Sequence, residues 1–371
     1  MSVENNVSER YAAGAQEVEP SLCCPVDYDV NLLKILPQEI IDKDYGCGDP
    51  SRYVQKGDTV VDLGSGGGKI CYMAAQVAGE KGKIIGVDMT DDMLALARKH
   101  QSAMAGKLGG NRVDFRKGYI QDLALDVTAM ESWLADNPVS TAQDLQNLEE
   151  WKKQQRANSP LVESSSVDLV VSNCVLNLVA EEHRKQMLEE IFRVLKPGGR
   201  VAISDIVSDE HVPQHLKDDP HLWSGCISGA YQEKDFLQAF LNVGFVSVAA
   251  DKWDAEPWQV VENIEFRSVT VTAVKPEAKT YSVIGQAVIY KGPFSEVHDD
   301  EGNVYPRGER IAVSEHTFTF LTEGSLKESF IGIQPASLKP AQTFCASAGT
   351  IRPAAETKGG SHGSANSGGC C

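Results

Sequence analysis

No apolar run in this 371-residue chain reaches the roughly 18 residues needed to span a bilayer. The best candidate, residues 167–180, is short and is broken by Asp168 and two asparagines, so no membrane segment is expected. The opening stretch MSVENNVSERYAAG lacks both the basic start and the apolar core of a secretory signal. Export is not expected, and a cytoplasmic location is. Positive charge is also in short supply. Thirty-five Lys and Arg stand against 52 Asp and Glu, a formal net charge of −17, with no basic stripe to attract a phosphate backbone. Nucleic acid is therefore a poor partner, whereas a small neutral substrate is indifferent to that field. CxxC spacing is absent as well, which argues against a closed tetrahedral zinc site.

What the chain does have is nine cysteines, an odd number that includes the adjacent pairs Cys23–Cys24 and Cys370–Cys371. Adjacent pairs are awkward for a conventional disulfide framework, and a reducing compartment would not keep one. Soft-ligand or redox chemistry is the leading reading. Hydrophobic residues at 42% and charged residues at 23% are ordinary globular values, and the length suits one substantial core plus a second, smaller unit. A monomer is the default expectation.

The pattern along the chain is α/β. Residues 1–20 are polar and read as a flexible arm. Strands are expected at 59–63, 83–88, 112–117, 167–172, 200–204 and 265–274, and helices at 69–79, 91–100, 180–195 and 233–243. Alternation of this kind implies a mostly parallel sheet with helices on both faces. Lys196-Pro197-Gly198-Gly199 ends the third of those helices. The stretch 127–166 is too long for a structureless loop, so 131–156 is expected to be a helical excursion anchored by Trp133 and Trp151. It reads as a surface insertion, with a substrate lid as the alternative. After Pro276 the strand-like segments 281–291, 308–314 and 317–321 point to a small β-rich domain. The expected organisation is an N-terminal arm with a thiol loop (1–55), a cofactor-binding domain (56–275), a small C-terminal domain (276–345) and a flexible Gly/Ser tail (346–371) bearing the terminal cysteine pair.

Val60-Val61-Asp62-Leu63-Gly64-Ser65-Gly66-Gly67-Gly68 is a strand running through a glycine turn into a helix. Such a turn lets backbone approach a ligand, and the helix start offers amide donors to an anionic group. Asp88 closes the second strand, where a carboxylate accepts hydrogen bonds from ribose hydroxyls. Three further cysteines fall in loops. Cys174 directly follows the fourth strand, at the carboxyl end of the sheet where open α/β proteins bind ligands. Cys226 lies in the turn Trp223-Ser224-Gly225-Cys226-Ile227-Ser228-Gly229-Ala230. Cys47 lies in Tyr45-Gly46-Cys47-Gly48, where the flanking glycines are read as keeping it accessible. Three loop thiols near one cofactor mouth suit a soft three-coordinate ion. Cys71, on the first helix among apolar neighbours, reads as packing.

The glycine turn, Gly86-Val87-Asp88-Met89 and Leu195-Lys196-Pro197-Gly198-Gly199 together resemble a class I methyltransferase. That resemblance implies S-adenosylmethionine as cofactor. It places Gly64, Ser65 and Gly66 on the methionine part, with Asp62 and Tyr45 in the same site. Asp88 would hold the ribose, Met89 would pack on adenine with Ile120 and Gln121 at its edge, and Asn173 would face the sulfonium. Asn173-Cys174, Gly225-Cys226 and the Cys47 loop add a closer resemblance, to arsenite methyltransferases, running from about Cys23 to Glu309. It implies that Cys174 and Cys226 bind As(III), that Cys47 completes or relays the site, and that Cys23 or Cys24 partners Cys47 in a redox step. Arsenite and methylarsenite would be substrates in arsenic detoxification, with a thiol reductant such as thioredoxin or glutathione restoring the cysteines. Thiolate-bound As(III) keeps a lone pair aimed at the methyl donor, and no general base is required. Methylation formally oxidises arsenic, and a thiol pair can return the electrons by forming a disulfide. The sequence departs from the family at Lys69-Ile70, where Arg-Asp is frequent, at the long insertion, and at Ser314, which stands where relatives carry cysteine. Two other readings keep the same fold: a methyltransferase for a small organic acceptor, and a thiol-based arsenic-binding protein without turnover.

Overall fold

The computed structural model describes residues 3–19, 26–276, 282–300, 302–323, 326–335, 342–343, 346–347 and 349–357. Cys23, Cys24, Cys345, Cys370 and Cys371 lie outside them. The chain divides into two units, Met1–Glu277 and Ala278–Cys371.

The first unit is built on a sheet whose longer strands are β1 (Thr59–Leu63), β2 (Lys83–Asp88), β3 (Val113–Lys117), β4 (Val167–Asn173), β5 (Leu195–Ser208), β6 (Val246–Trp253) and β7 (Ile264–Val274), with the short strands Tyr231–Gln232 and Gln259–Val261 paired to β5 and β7. Their order is β3-β2-β1-β4-β5-β7-β6. The five strands from β3 to β5 are parallel, and β7 runs antiparallel between β5 and β6. Parallel strands need crossovers that cover both faces, and β1 accordingly reads as a near-continuous apolar run, with Val60, Val61 and Leu63 fully buried. The crossover helices flanking these strands include α2 (Lys69–Ala78), α3 (Asp91–Lys99), α6 (Glu181–Val194) and α7 (Glu233–Val243). Between β4 and β5, Leu195 pairs with Val167 and Arg200 with Leu169, so the Lys-Pro-Gly-Gly segment loops out of register instead of forming a free-standing turn. The expectation of a mostly parallel sheet holds. β6 is the strand that sequence patterning missed, because its residues are half-buried or exposed at the sheet's edge and carry little apolar signal.

The expected insertion is a helical hairpin, α4 (Val127–Asp136) and α5 (Ala142–Asn158). Thr141 and Asp144 form a reciprocal capping box that starts α5. Trp133 and Trp151 stack across the hairpin with ring centres 5.6 Å apart. The polar segment read as a flexible arm is instead a helix, α1 (Val3–Gln16). Val7 and Ala15 are both buried and Tyr11 lies on the same stripe, an i, i+4, i+8 spacing that a polar composition hides.

In the second unit, Ala287–Tyr290 pairs antiparallel with Arg310–Ala312 and with Phe330–Ile333. Val288, Tyr290, Tyr305, Ile311 and Phe330 form its small core. The segment 317–321, expected as a strand, belongs to the helix Glu315–Glu323. The Ser314 hydroxyl accepts the Thr317 amide, a helix-start contact, and Thr317 and Leu321 bury the same face at i, i+4 spacing.

Candidate active site

Register brings the carboxyl ends of four strands level. Leu63 pairs with both Val87 and Ser172, and Asn173 pairs with Ser204. Chain leaving these tips builds a cleft whose lining includes Tyr45, Gly64, Asp88, Met89, Asn173 and Cys174. Asp62, Ser65, Gly66, Ile120 and Gln121 line it too, so every residue assigned by resemblance to the cofactor faces one space.

On the cofactor wall, the amides of Gly64 and Ser65 both donate to the Val87 carbonyl, tying the glycine turn to the end of β2. The Gly66 and Thr90 amides each donate to Asp88 at 2.8 Å, which fixes its carboxylate at the cleft's rim. Burial pushes the Asp88 pKa up, opposed by those amides. The neighbouring Asp62 is deeper, and burial raises it to about 7 while a hydrogen bond from the Cys71 thiol pulls the other way. Cys71 is thus a buried packing residue with one polar duty. Ser65 Oγ is buried without a hydrogen-bond partner, an open position that a polar ligand group would fill. A fixed acid lining the cleft beside a glycine turn and an unsatisfied hydroxyl fit S-adenosylmethionine. Lys69, one of the departures from the family, is buried and turned to Asp44 on the cleft wall, 2.9 Å away, with its ammonium 3.4 Å from the Tyr28 ring centre.

The thiol wall draws on three distant stretches. Asn173 fixes the first. Its side-chain oxygen accepts the amides of Cys47 and Gly48 at 2.8 and 2.9 Å, and its nitrogen donates to the Gly48 carbonyl and to Tyr28. So intimate is this contact that a β-carbon on Gly46 would lie 1.9 Å from Asn173 Nδ2, and one on Gly48 would lie 2.3 Å from Ser204 Oγ. The glycines therefore serve close packing and not exposure: Cys47 is fully buried, a correction to the accessible loop expected from sequence. Asn173 lines the cleft as expected, but its polar atoms are occupied with the Cys47 loop.

Cys174 follows β4 with φ of 60°, and its amide donates to the Ser204 carbonyl at 2.7 Å. It is bonded to Cys47 across 127 residues, with Cα atoms 5.7 Å apart. Cys226 lies outside this disulfide, also with positive φ (61°), and its thiol donates to the Cys174 carbonyl at 3.2 Å. Its turn is seated by Arg184, a buried guanidinium that donates to the carbonyls of Val179, Asn177 and Gly229 and lies over the Trp223 and Tyr231 rings. All three cysteines share one apolar cluster with Leu178, Trp223 and Ile227. Asp205 closes the wall from behind. It accepts from the amides of Leu176, Asn177 and Ile206 and from the Asn177 side chain, and burial raises its pKa to about 6 against those donors. Its carboxylate and the sulfurs of Cys47 and Cys174 lie within 4.8 Å of one another.

Sequence reasoning missed Asp205, Arg184 and Tyr11. Only Tyr11 left a readable signal, the helical spacing of Val7, Tyr11 and Ala15. Among the described residues, no helix is long and apolar enough to cross a membrane.

A mostly parallel sheet ordered 3-2-1-4-5-7-6, with a glycine turn after its first strand and an acid closing its second, defines a class I methyltransferase that uses S-adenosylmethionine. The family described as "Methyltransferase domain" matches residues 54–150 and 143–244, and "Domain of unknown function (DUF8838)" matches 278–362. The chain is 32% identical over 293 residues to the arsenite methyltransferase of Aquipseudomonas alcaligenes, covering 75% of this chain and 73% of that one. To the human arsenite methyltransferase it is 28% identical, covering 83% and 75%. The crystal structure of CrArsM, an arsenic (III) S-adenosylmethionine methyltransferase from Chlamydomonas reinhardtii, superposes with a TM-score of 0.54 at 27% identity, covering 87% of this chain and all of that one. The chain belongs to the arsenite methyltransferase family.

Proposed function

We infer that the protein methylates As(III) bound to Cys174 and Cys226, with Cys47 as third ligand or relay. S-adenosylmethionine, held by Asp88, the 64–66 turn and Ser65, supplies an electrophilic methyl group. The chain's own part is to hold the arsenic. Three sulfurs on a pyramidal ion leave its lone pair directed away from them, and Cys174 sits on the wall of the same cleft as Asp88 and Met89. Methyl transfer raises arsenic formally to As(V), and two thiolates return two electrons by joining as a disulfide. The observation that carries this reading is the sulfur arrangement. Cys47 and Cys174 are already joined, and Cys226 lies against the Cys174 carbonyl, so one pair in the oxidised state adjoins a third cysteine outside the disulfide.

In this scheme a thiol reductant such as thioredoxin or glutathione must open Cys47–Cys174 before the next arsenite binds, and Cys23 or Cys24 would accept that disulfide by exchange with Cys47. Methylarsenite is a second substrate of the same site. Purified protein given arsenite, S-adenosylmethionine and a thiol reductant is expected to yield methylarsenicals, while Cys174→Ser yields none. Wild-type turnover in Cys174→Ser would remove the ligand set. As(III) binding without methyl transfer in the wild type would replace the enzyme by a thiol-based arsenic-binding protein.

A further inference from the structure

The start of α2 carries an ion pair that no step of the scheme uses. Lys69, the first residue of that helix, is buried, and its Nζ donates to Asp44 Oδ2 at 2.9 Å. Tyr28 donates to the same oxygen at 2.9 Å, and the Lys69 ammonium lies 3.4 Å from the centre of the Tyr28 ring. The Tyr28 hydroxyl in turn accepts from Asn173 Nδ2 at 3.2 Å, so the carboxylate is tied to the end of β4 as well as to α2. Both donors meet Oδ2. Among the described residues Asp44 Oδ1 has no hydrogen-bond partner, and Asp44 lines the cleft with 17% of its side chain exposed.

One oxygen of this carboxylate is therefore fixed, and the other is open. A carboxylate accepts through both oxygens, and its bonds to cationic donors are the strong ones. The adjoining wall supplies no such donor. Ile70, next on α2, lines the cleft with an apolar side chain, and Lys43, the cation on this wall, is turned to the Ala15 carbonyl and to Glu39. Lys69 opens the helix that follows the 64–66 turn, so Asp44 stands at the same end of the cleft as that turn and as Ser65, whose buried hydroxyl also lacks a partner. If the turn holds the methionine part of the cofactor, the cation brought to this end is the amino-acid ammonium. Asp62 is the competing acid. It also lines the cleft, but it is only 2% exposed and accepts the Cys71 thiol.

We propose that Asp44 accepts the ammonium of the cofactor's methionine through Oδ1, with Oδ2 fixed by Lys69 and Tyr28, and so selects adenosine ligands that carry an amino-acid end. The proposal rests on the reading that Asp88 and the 64–66 turn hold the cofactor, and its test separates the two. Isothermal titration on the full chain compares S-adenosylhomocysteine with its deamino analogue, which keeps the carboxylate, thioether and adenosine and lacks only the amino group. Wild type is expected to bind the analogue roughly tenfold more weakly, the scale of one hydrogen bond to a charged group. In Asp44→Asn the single carbonyl oxygen stays with Lys69 and Tyr28, and the two ligands are expected to bind alike. Asp62→Asn, and Tyr28→Phe in which Lys69 still fixes the carboxylate, are expected to keep most of the tenfold ratio. Equal binding in wild type overturns the proposal whether or not Asp44→Asn folds. So does a ratio that survives in Asp44→Asn. A ratio lost as fully in Tyr28→Phe would make Asp44 only a tie between α2 and β4, and one lost in Asp62→Asn alone would give the ammonium to Asp62; either result sinks the assignment. Asp88→Asn is expected to weaken both ligands and keep their ratio. If it changes neither affinity, the reading of the cofactor site fails, and the proposal with it.

Discussion

The two walls of the cleft solve the same backbone problem in opposite ways. The cofactor wall turns sharply through Gly64, Gly66 and Gly68, with φ of 68°, 49° and 86°, in a region glycine enters without a steric penalty. The thiol wall turns as sharply at Cys174 and Cys226, with φ of 60° and 61°, where a β-carbon costs about 1–2 kcal/mol. On the proposed cofactor wall the side chain can be given up. On the proposed arsenic wall the sulfur cannot, and the strain stays. Such strain is held by what surrounds it, here the Ser204 carbonyl, the buried Arg184 and the Asp205 hub.

The walls also differ in their dependence on pH, and this is the largest effect expected. Asp62, behind the cofactor turn, is lifted by burial from 3.8 to about 7, so the native state binds that proton more tightly than the unfolded chain. Its protonated form is the stable one. The contribution of Asp62 to stability is therefore greatest below about pH 4, falls as pH climbs through about 7, and is flat beyond, by roughly 4 kcal/mol at 1.36 kcal/mol per unit. Asp205, on the thiol wall, is raised only to about 6, so its decline ends earlier and is smaller. Asp62→Asn keeps an acceptor for the Cys71 thiol and removes the titration. Denaturant melts between pH 4 and 8 are expected to show the variant's stability falling less than the wild type's, with the part set by Asp205 remaining. Parallel curves would mean that burial of the cofactor wall does not set the profile.

Next comes the loop that joins the walls. Gly46→Ala would drive a β-carbon into Asn173, 1.9 Å away, and push the Cys47 loop off the amide pair that seats it. A displacement near 1 Å in a reacting group costs about 100-fold in rate. Arsenite turnover is expected to fall by that order, while isothermal titration finds S-adenosylmethionine affinity within a few-fold of wild type. If affinity for the cofactor collapses instead, the two walls are not separable.

A smaller effect tests the strain directly. Cys226→Gly and Cys226→Ala both remove the thiol and are expected to be inactive. In ordinary positions alanine is the more stable choice, by roughly 0.5–1 kcal/mol. At φ of 61° the order should reverse by about 1 kcal/mol in favour of glycine, read from urea midpoints. Alanine more stable than glycine there would show that Cys226 carries no backbone penalty.

This contrast explains what was legible in the sequence. The cofactor wall comes from one contiguous run, 59–90, in which strand, turn and acid keep fixed spacing, and the Ile120–Gln121 turn follows the next strand. Its signals are local, and the structure brings all of its expected residues to one cleft. The thiol wall is assembled from residues near 47, 174, 205 and 226. The cysteines could be singled out there only by type and by resemblance. Their partners, Asp205 and Arg184, look like ordinary surface charges in sequence, since nothing local announces that a carboxylate will be buried under four donors. The glycines around Cys47 were misread for a related reason: a missing side chain signals proximity as readily as exposure, and only the position of Asn173 decides between them. Tyr11 was hidden by the polar composition of its helix.

The smallest effect concerns the hairpin of α4 and α5, which the sequence left between decoration and lid. Arg156 of α5 clasps Asp122 at 2.7 Å, one residue beyond Gln121, and Glu131 of α4 meets Lys117, the last residue of β3, at 2.6 Å. Both latches fall beside the expected adenine edge, and neither touches a cysteine loop, so the hairpin belongs to the cofactor wall. Arg156 and Glu131 are partly exposed, and pairs of that kind contribute at most about 1 kcal/mol. Arg156→Ala is therefore expected to weaken S-adenosylmethionine binding by a factor of about two to five, the equivalent of that energy, and to leave the affinity for As(III) unchanged. Titrations of each ligand against wild type and variant read both numbers. A variant that binds the cofactor normally but captures As(III) poorly would move the hairpin to the other wall, and with it the boundary on which the contrast between the two depends.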